Sequence, residues 1–388
     1  MRKIAVFTGS RADYGILYWL LTELIDIEGV ELQLYVGGSH LSDEFGHTIT
    51  QIMNDKFKVT ETFSYLPYDD SAIGVAKSAA RTLVCATQAI VKNKPDLMVV
   101  VGDRYETFSV AQAAMMSRLP IAHIHGGELT IGAIDDAIRH AITKMSQLHF
   151  AATEKYRQRI IQLGEQPKNV FSFGAPGLDN IDKLRLLSLS ELSETLTFDL
   201  TSRYFVVTFH PETLSLNGGS RTLQNLFDAL DSFTNYKLLI TYPNADACGR
   251  KLVAMCQQYQ EARPDRVLLV KSLGQLRYLS GIKHCSAVIG NSSSGLIEAP
   301  SFHVPTVNIG ERQLGRDCGA SVLTCSGSLK DIEKTINRAC SPAFVEKCQN
   351  AENPYGCGAV AKKIVNEIVS FPLENLLKKQ FHDLNTGF

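Results

Sequence analysis

The chain has 388 residues, of which 45% are hydrophobic and 20% charged, and its formal net charge is −1. This length predicts two domains, and the composition is typical of a globular protein. The charge is balanced and no basic block is present, which argues against a nucleic-acid or membrane-surface partner.

The N-terminus and the cysteines both favour a cytoplasmic location. The first apolar run, IAVFTG, is too short for the hydrophobic region of a signal peptide. No run approaches the ~20 apolar residues of a membrane-spanning helix. The nine cysteines are scattered without a C-x-x-C pair, which favours reduced thiols over disulfides or a zinc site. We therefore expect a soluble cytoplasmic protein that needs no metal or other cofactor.

Short Val/Ile-rich runs alternate with helix-period segments along the chain. This alternation predicts parallel sheets covered by helices on both faces, as in doubly wound α/β domains. The predicted strands of the first half are residues 4–8, 31–36, 97–101, 121–125, 148–152 and 170–173. Those of the second half are residues 205–209, 237–241, 267–270, 287–289 and 306–309. Each half has about the size of one such domain.

The domain boundary is predicted at the segment GAPGLDN, where Gly and Pro interrupt both helix and strand. The first domain then covers residues 1–176 and the second residues 177–364. A terminal helix, at about residues 365–388, is a candidate to pack back on the first domain.

The turn TGSRADYG (residues 8–15) follows the first strand and precedes a helix. N–H groups at a helix start can bind an anion, and Arg11 adds a guanidinium suited to phosphate. The spacing is neither G-x-G-x-x-G nor a P-loop, so it supports neither a dinucleotide site nor a kinase. An ordinary turn capped by Asp13 is the alternative.

Acidic and basic side chains lie at the ends of the predicted strands 97–101 and 121–125 and continue on a helix. The carboxyl ends of parallel strands meet at one edge of a sheet, where ligands bind, so these groups indicate proton-transfer chemistry. In chain order they are Asp103, Arg104, Glu106, His123, His125, Glu128, Asp135, Asp136, Arg139 and His140.

The helical members of this set also have a simpler explanation. Asp136 and His140 share one face and Asp135 and Arg139 another, so they could form ordinary surface ion pairs. His123 and His125 alternate along a predicted strand. They should then point to opposite faces, which argues against a shared metal.

The second half carries four ligand-binding candidates after its strands. GNSSSGLIE offers hydroxyls at a predicted helix start and then a carboxylate suited to a ribose; a well-capped helix is the alternative. NIGERQLGR supplies arginines suited to a diphosphate, and FHPET and TYPNADACGR end strands with polar groups. The residues concerned are Ser292, Ser293, Ser294, Glu298, Arg312, His210 and Asn244.

These motifs, taken in order, resemble the UDP-N-acetylglucosamine 2-epimerase family. They are TGSRADYG, GDRYE, HIHGGE, DDAIRHAITKMS, FHPET, NSSSGLIE and NIGERQLGR. Within this family, the motifs resemble most closely those of the hydrolysing branch, which feeds sialic and legionaminic acid synthesis. The resemblance implies two doubly wound Rossmann-like domains facing a cleft, as in B-type glycosyltransferases, and a homodimer or homotetramer.

The resemblance also implies roles for individual residues. Catalytic roles fall on Asp103, Asp135, His210 and one or both of His125 and Glu128. The resemblance implies contacts with the UDP-sugar from Arg11, Ala12, Arg104, Ser293, Glu298 and Arg312, and places His210 near the phosphate. The residue patterns add Asp136, Arg139, Asn244, Ser292 and Ser294 as candidate contacts. Many family members have Glu at the position of His125, so the sequence leaves open whether His125 or Glu128 transfers the proton.

The implied reaction converts UDP-N-acetylglucosamine and water to N-acetylmannosamine and UDP through a 2-acetamidoglucal. A diacetamido-trideoxy UDP-sugar and a non-hydrolysing 2-epimerase remain alternatives. A glycosyltransferase would need an acceptor. A sugar-binding protein would not need this number of acids and bases.

Overall fold

The computed structural model describes residues 1–43, 46–66, 71–131, 134–211, 219–243, 249–356 and 358–384. The chain divides into two compact units, each with its own sheet. The first unit consists of Met1–Glu128, Ile134–Asp179 and Gly358–Phe388, and the second of Leu129–Ala133 and Asn180–Cys357.

The first unit is built on a seven-stranded sheet with the order β3-β2-β1-β4-β5-β6-β7, in which the paired strands are parallel. Its strands are β1 (Arg2–Thr8), β2 (Val30–Gly37), β3 (Val59–Phe63), β4 (Leu97–Val101), β5 (Ile121–Ile124), β6 (Leu148–Ala151) and β7 (Val170–Ser172). The helices from its first two segments are α1 (Arg11–Ile25), α2 (Ile49–Asn54), α3 (Ala72–Asn93), α4 (Tyr105–Met116), α5 (Ile134–Met145) and α6 (Glu154–Gln162). A short helix, α7 (Asp179–Lys183), spans the passage into the second unit.

The second unit has a six-stranded parallel sheet with the order β10-β9-β8-β11-β12-β13. Its strands are β8 (Tyr204–Thr208), β9 (Lys237–Thr241), β10 (Val267–Val270), β11 (Ala287–Gly290), β12 (Thr306–Ile309) and β13 (Val322–Cys325). Its helices are α8 (Leu189–Leu196), α9 (Ser220–Asp231), α10 (Gly249–Glu261), α11 (Gly274–His284), α12 (Ser294–Ile297), α13 (Leu329–Ala339) and α14 (Pro342–Gln349).

Burial on both faces of each sheet explains the continuous apolar runs. In β1, Ile4 and Val6 belong to one hydrophobic cluster, whereas Ala5 and Phe7 belong to another on the opposite face. The second sheet is likewise covered by two clusters. Burying such side chains supplies the main favourable term in folding. The predicted fold class, two doubly wound Rossmann-like α/β domains, is confirmed.

The chain returns to the first unit through α15 (Val360–Ser370). The buried carboxylate of Asp179 accepts hydrogen bonds of 2.8 Å from the N–H groups of both Val360 and Ala361, which caps the helix. The helix begins earlier than the predicted residue 365 and ends at Ser370, because Pro372 follows. Residues 371–384 form turns and irregular chain. Among the described residues, no helix is long and apolar enough to cross a membrane.

Candidate active site

The turn after β5 brings an imidazole and a carboxylate together. His125 Nδ1 lies 2.6 Å from Glu128 Oε1, and their side chains are 12% and 4% exposed. The strand was predicted to include His125, but it ends at Ile124, and His125 has a φ of +64°. The chain therefore turns out of the strand at His125, and the expected alternation of His123 and His125 on one strand is wrong.

His123 remains in β5 and is fully buried. Its Nε2 lies 2.8 Å from the carbonyl oxygen of Gly102, and its Nδ1 lies 3.2 Å from Thr143 Oγ1. Burial lowers the pKa of His123 to about 3, so the ring is neutral at ordinary pH. This histidine ties β5 to the turn after β4, directly before Asp103.

Arg139, on α5, organises the acidic residues of this edge. Its guanidinium pairs with the carboxylate of Asp103, lies 3.6 Å from that of Asp136, and donates a 2.9 Å hydrogen bond to the Glu128 carbonyl oxygen. Its side chain is only 2% exposed. The predicted contact of Arg139 with the nucleotide stays a prediction. The structure gives Arg139 a supporting position beneath Asp103 and Glu128.

The rest of α5 bears out the shared face of Asp136 and His140, whose Oδ2 and Nε2 atoms lie 3.6 Å apart. Asp135, in the first turn of the same helix, is half-buried. The sequence suggested ion pairs on the helix surface. In the structure Arg139 is buried instead, because it pairs with Asp103 after the end of β4.

A second cluster lies where the chain leaves β1. Ser10 caps α1, and Arg11 and Ala12 are exposed in its first turn. Asp13 was considered as the cap, but it is buried, and its carboxylate accepts a 3.3 Å hydrogen bond from Gly9 N–H. Burial raises the pKa of Asp13 to about 6.

Arg104, at the start of α4, pairs with a buried carboxylate of its own helix. Its Nε lies 2.7 Å from Glu106 Oε1, and the two side chains are 49% and 3% exposed. The charge of Glu106 raises the pKa of Arg104, so the guanidinium stays charged. A half-exposed arginine anchored through Nε is suited to bind an anion through its Nη groups.

In the second unit, Asn291 holds the candidate residues together. Its side chain accepts a 2.6 Å hydrogen bond from His210 N–H and donates one of 2.9 Å to the His210 carbonyl oxygen. Its own carbonyl oxygen accepts hydrogen bonds from Arg312 at 3.1 Å and Gln313 at 2.8 Å. The sequence analysis named neither Asn291 nor Gln313. The asparagine that begins the NSSSG motif could have pointed to Asn291 from the sequence.

His210 is buried two residues after the end of β8. Burial, with the charge of Arg312, lowers the pKa of His210 to about 3. A neutral imidazole at this place can donate or accept a hydrogen bond without adding charge.

The serine motif departs from the predicted helix start. Gly290 has a φ of +136° and lies against the backbone of Thr208, where a β-carbon would collide. Helix α12 has only four residues and continues as a short 3-10 helix at Ala299–Phe302. Its N-cap, Ser293, makes no side-chain capping hydrogen bond. The half-buried side chains of Ser292, Ser293, Ser294 and Glu298 therefore surround a single turn.

Asn244 lies outside the described residues, and its predicted contact stays a prediction. Among the residues that the structure describes, no group of three or more His, Cys, Asp or Glu side chains could hold a metal ion.

The family model described as UDP-N-acetylglucosamine 2-epimerase matches residues 22–369 of the chain. The chain belongs to this family. It is 41% identical over 360 residues to the polysialic acid biosynthesis protein P7 of Escherichia coli, covering 92% of this chain and 90% of that protein. It is 36% identical over 384 residues to the GDP/UDP-N,N'-diacetylbacillosamine 2-epimerase (hydrolyzing) of Campylobacter jejuni, covering 99% of each.

A solved structure shares the fold. The UDP-GlcNAc 2-epimerase of Neisseria meningitidis bound to UDP-GlcNAc matches with a TM-score of 0.80 at 18% identity, covering 95% of this chain and 100% of that one. Together with its sequence relatives, the family match makes this chain an enzyme of the hydrolysing branch.

Proposed function

We propose that this enzyme of the epimerase family hydrolyses UDP-N-acetylglucosamine with inversion at C2, releasing UDP and N-acetylmannosamine. The observation that carries the proposal is the His125–Glu128 pair, joined at 2.6 Å beside the Asp103–Arg139 ion pair. A carboxylate, an imidazole and a second carboxylate at one sheet edge can remove a proton and return one.

In the first step, Glu128 and His125 act together as the base that removes the C2 proton. The electron pair of the C2–H bond forms the C1–C2 double bond, and the C1–O bond breaks so that UDP leaves with its electrons. The product on the enzyme is a 2-acetamidoglucal. Because the C2 proton is weakly acidic, stabilising the departing diphosphate must supply much of the rate.

In the second step, water adds to the double bond. Asp103, kept ionised by Arg139, takes a proton from the water as the water oxygen bonds to C1, while protonated Asp135 gives its proton to C2 from the opposite face. The proton taken by Asp103 then restores Asp135. Both carboxylates belong to the first unit. In this proposal a proton leaves C2 on one face of the sugar and another is added on the opposite face, which inverts the configuration.

The proposed nucleotide contacts come from the remaining polar groups. Arg104 and Arg312 are the cations proposed for the diphosphate, because guanidinium groups pair well with phosphate oxygens. The other proposed contacts are Arg11, Ala12, Asp136, Ser292, Ser293, Ser294 and Glu298, with His210 near the phosphates.

A second substrate, UDP-2,4-diacetamido-2,4,6-trideoxyglucose, is favoured by the Campylobacter relative named for N,N'-diacetylbacillosamine. The two sugars differ at C4 and C6, away from the reacting C1 and C2. The same proton transfers would serve both. Selection then depends on pocket contacts, of which each is worth only a few kcal/mol.

Incubation of the enzyme with each UDP-sugar in D2O, followed by NMR, tests the proposal. We expect free UDP and free N-acetylmannosamine carrying deuterium at C2. UDP-N-acetylmannosamine without free UDP would indicate a non-hydrolysing epimerase instead. A higher kcat/KM on the diacetamido sugar would assign the second substrate. We further propose that the product enters sialic acid synthesis and that the enzyme is a homodimer or homotetramer, which light scattering measures.

A further inference from the structure

The C-terminal segment formed by residues 379–382 is held firmly although it has no regular secondary structure. His382 N–H donates a 2.8 Å hydrogen bond to the Gly164 carbonyl oxygen. The Phe381 ring covers Gly164 so closely that a β-carbon there would collide with it. The ring also lies 5.0 Å from the Lys144 ammonium. Irregular chain near a terminus is usually poorly ordered unless it is tied down, and these contacts tie it down.

Lys379 is the centre of this attachment, and its side chain is only 20% exposed. The ammonium group donates to Glu165 Oε2 at 2.6 Å, to the Ser146 carbonyl oxygen at 2.6 Å and to the Lys144 carbonyl oxygen at 2.8 Å. These contacts match the three donors of an ammonium group.

Of the two carbonyl acceptors, Lys144 lies in the last turn of α5 and Ser146 directly follows the helix. The last carbonyl groups of a helix have no partner within the helix, and a positive charge is favourable at that end. Lys379 therefore caps α5 from a distant part of the sequence. Such a cap stabilises the last turn of the helix.

Glu165 fixes the cap in place from the other side. It is 1% exposed and also accepts hydrogen bonds from Lys144 at 2.6 Å and from His149 at 3.1 Å. Burial works to raise the pKa of Glu165, but the contacts with His149, Lys144 and Lys379 outweigh it and lower the pKa to about 2. The carboxylate is thus charged throughout the range in which the enzyme would work.

This cluster connects to the candidate active site by two routes within the first unit. Helix α5 carries Arg139, which contacts Asp103 and the Glu128 carbonyl group. His149 in β6 is the register partner of His123 in β5, whose Nε2 contacts the carbonyl group directly before Asp103. A shift of α5 along its axis would move Arg139 away from both partners.

We infer that Lys379 is a positioning residue: by joining the end of α5 to Glu165, it keeps Arg139 in place beneath Asp103 and Glu128. The inference rests on the proposed function for its effect on turnover, since Asp103 and Glu128 are proposed catalytic groups. Lys379 itself does not touch substrate. Misplacing catalytic groups by about 1 Å lowers turnover by roughly 10²-fold, so a partial loosening should give roughly tenfold.

The test compares Lys379→Met with Lys379→Arg, which keeps the charge, and with Lys378→Met, which removes an exposed lysine next to it. Hydrogen exchange of the α5 amides reports the cap directly and requires no activity. We expect faster exchange at the end of α5 in Lys379→Met, with Lys379→Arg closer to wild type and Lys378→Met unchanged. Equal exchange in all three variants overturns the inference, whatever the reaction is.

Turnover gives the second readout. We expect kcat of Lys379→Met to fall roughly tenfold while KM and the calorimetric Kd for UDP stay within about twofold, because the nucleotide contacts are elsewhere. A parallel fall of activity and folded fraction, measured by circular dichroism, would indicate a merely structural role and overturn the inference. If Lys379→Met does not fold, Lys379→Gln replaces it in the same comparisons. Absence of UDP release by the wild type would instead contradict the proposed function, and the exchange comparison would still stand.

Discussion

His125 and Glu128 are joined by a 2.6 Å hydrogen bond, although the chain makes a left-handed turn between the end of β5 and this contact. The sequence left open which of the two residues transfers the proton. The geometry supports treating them as one acid–base pair, because a proton gained by either is shared with the other across a short hydrogen bond.

Replacing Glu128 with Gln should therefore abolish most turnover. The amide keeps the size of the side chain but cannot accept the C2 proton, so we expect kcat to fall by about 10²- to 10⁴-fold. His125→Asn should cause a smaller loss, because the carboxylate remains. UDP release measures turnover, and calorimetry should show nearly unchanged UDP binding. Glu154→Gln, at an exposed position at the start of α6, is the control. Activity of Glu128→Gln within a few-fold of wild type would exclude Glu128 as the base.

Removing the guanidinium of Arg139 should destabilise the first unit. Arg139→Met leaves the partly buried carboxylate of Asp103 without its counter-ion, and we expect a loss of about 3 kcal/mol in the free energy of unfolding. Urea denaturation measures this loss. Asp136→Asn, which removes a more distant and more exposed partner, should cost less than about 1 kcal/mol. Similar effects of the two substitutions would contradict the central position of Arg139.

Gly290 should tolerate no side chain. A β-carbon there would collide with the backbone of Thr208 on the neighbouring strand, and the φ of +136° is unfavourable for other residues. We expect Gly290→Ala to cost more than about 4 kcal/mol or to prevent folding. Gly177→Ala is the matched control, because a β-carbon there would meet no atom within 4 Å. Soluble yield and urea denaturation compare the two, and a well-folded Gly290→Ala would refute the prediction.

The buried histidines should make the fold sensitive to mild acid. Burial lowers the pKa of His40 to about 4 and those of His123 and His210 to about 3. Below pH ~6.5 the unfolded chain binds protons at these residues and the folded chain does not. The free energy of unfolding therefore falls as the pH is lowered. Asp13 acts in the opposite direction, because its raised pKa of about 6 makes the folded state bind a proton first.

We therefore expect the free energy of unfolding to decrease by roughly 2–4 kcal/mol between pH 7 and pH 5. Urea denaturation at several pH values measures the slope. His40→Asn should make the slope shallower, whereas His47→Asn, which replaces an exposed histidine, is the control. A stability that is constant or rises towards pH 5 would show that these histidines are not buried in their neutral form.

The strands that could be predicted are those with apolar residues on both faces. The two strands that the sequence analysis missed, β3 and β13, lie at the edges of their sheets, and each has partly exposed positions. An edge strand is covered less completely, so its sequence lacks the continuous apolar run that marks a central parallel strand.

The sequence did not predict the contacts between the residues of the candidate site. The order of the sheet brings Asp103 and His125 to the same edge, as the sequence indicated. The burial of Arg139 was not predictable, because its partner Asp103 is remote in sequence and i, i+4 spacing describes only neighbours on the helix. The role of Asn291 was likewise not predictable, because its partner His210 is remote in sequence and follows a different strand.

The return of the chain at Gly358 affects the order in which the protein can be completed during synthesis. The first unit lacks α15 and Lys379 until the end of the chain has been made, whereas almost all of the second unit is one continuous segment. Domains generally fold as units as they emerge from the ribosome. The sheet of the first unit is therefore translated before α15. The surface that α15 covers stays exposed while the second unit is translated. A growing chain arrested shortly after residue 357 would present that surface to chaperones.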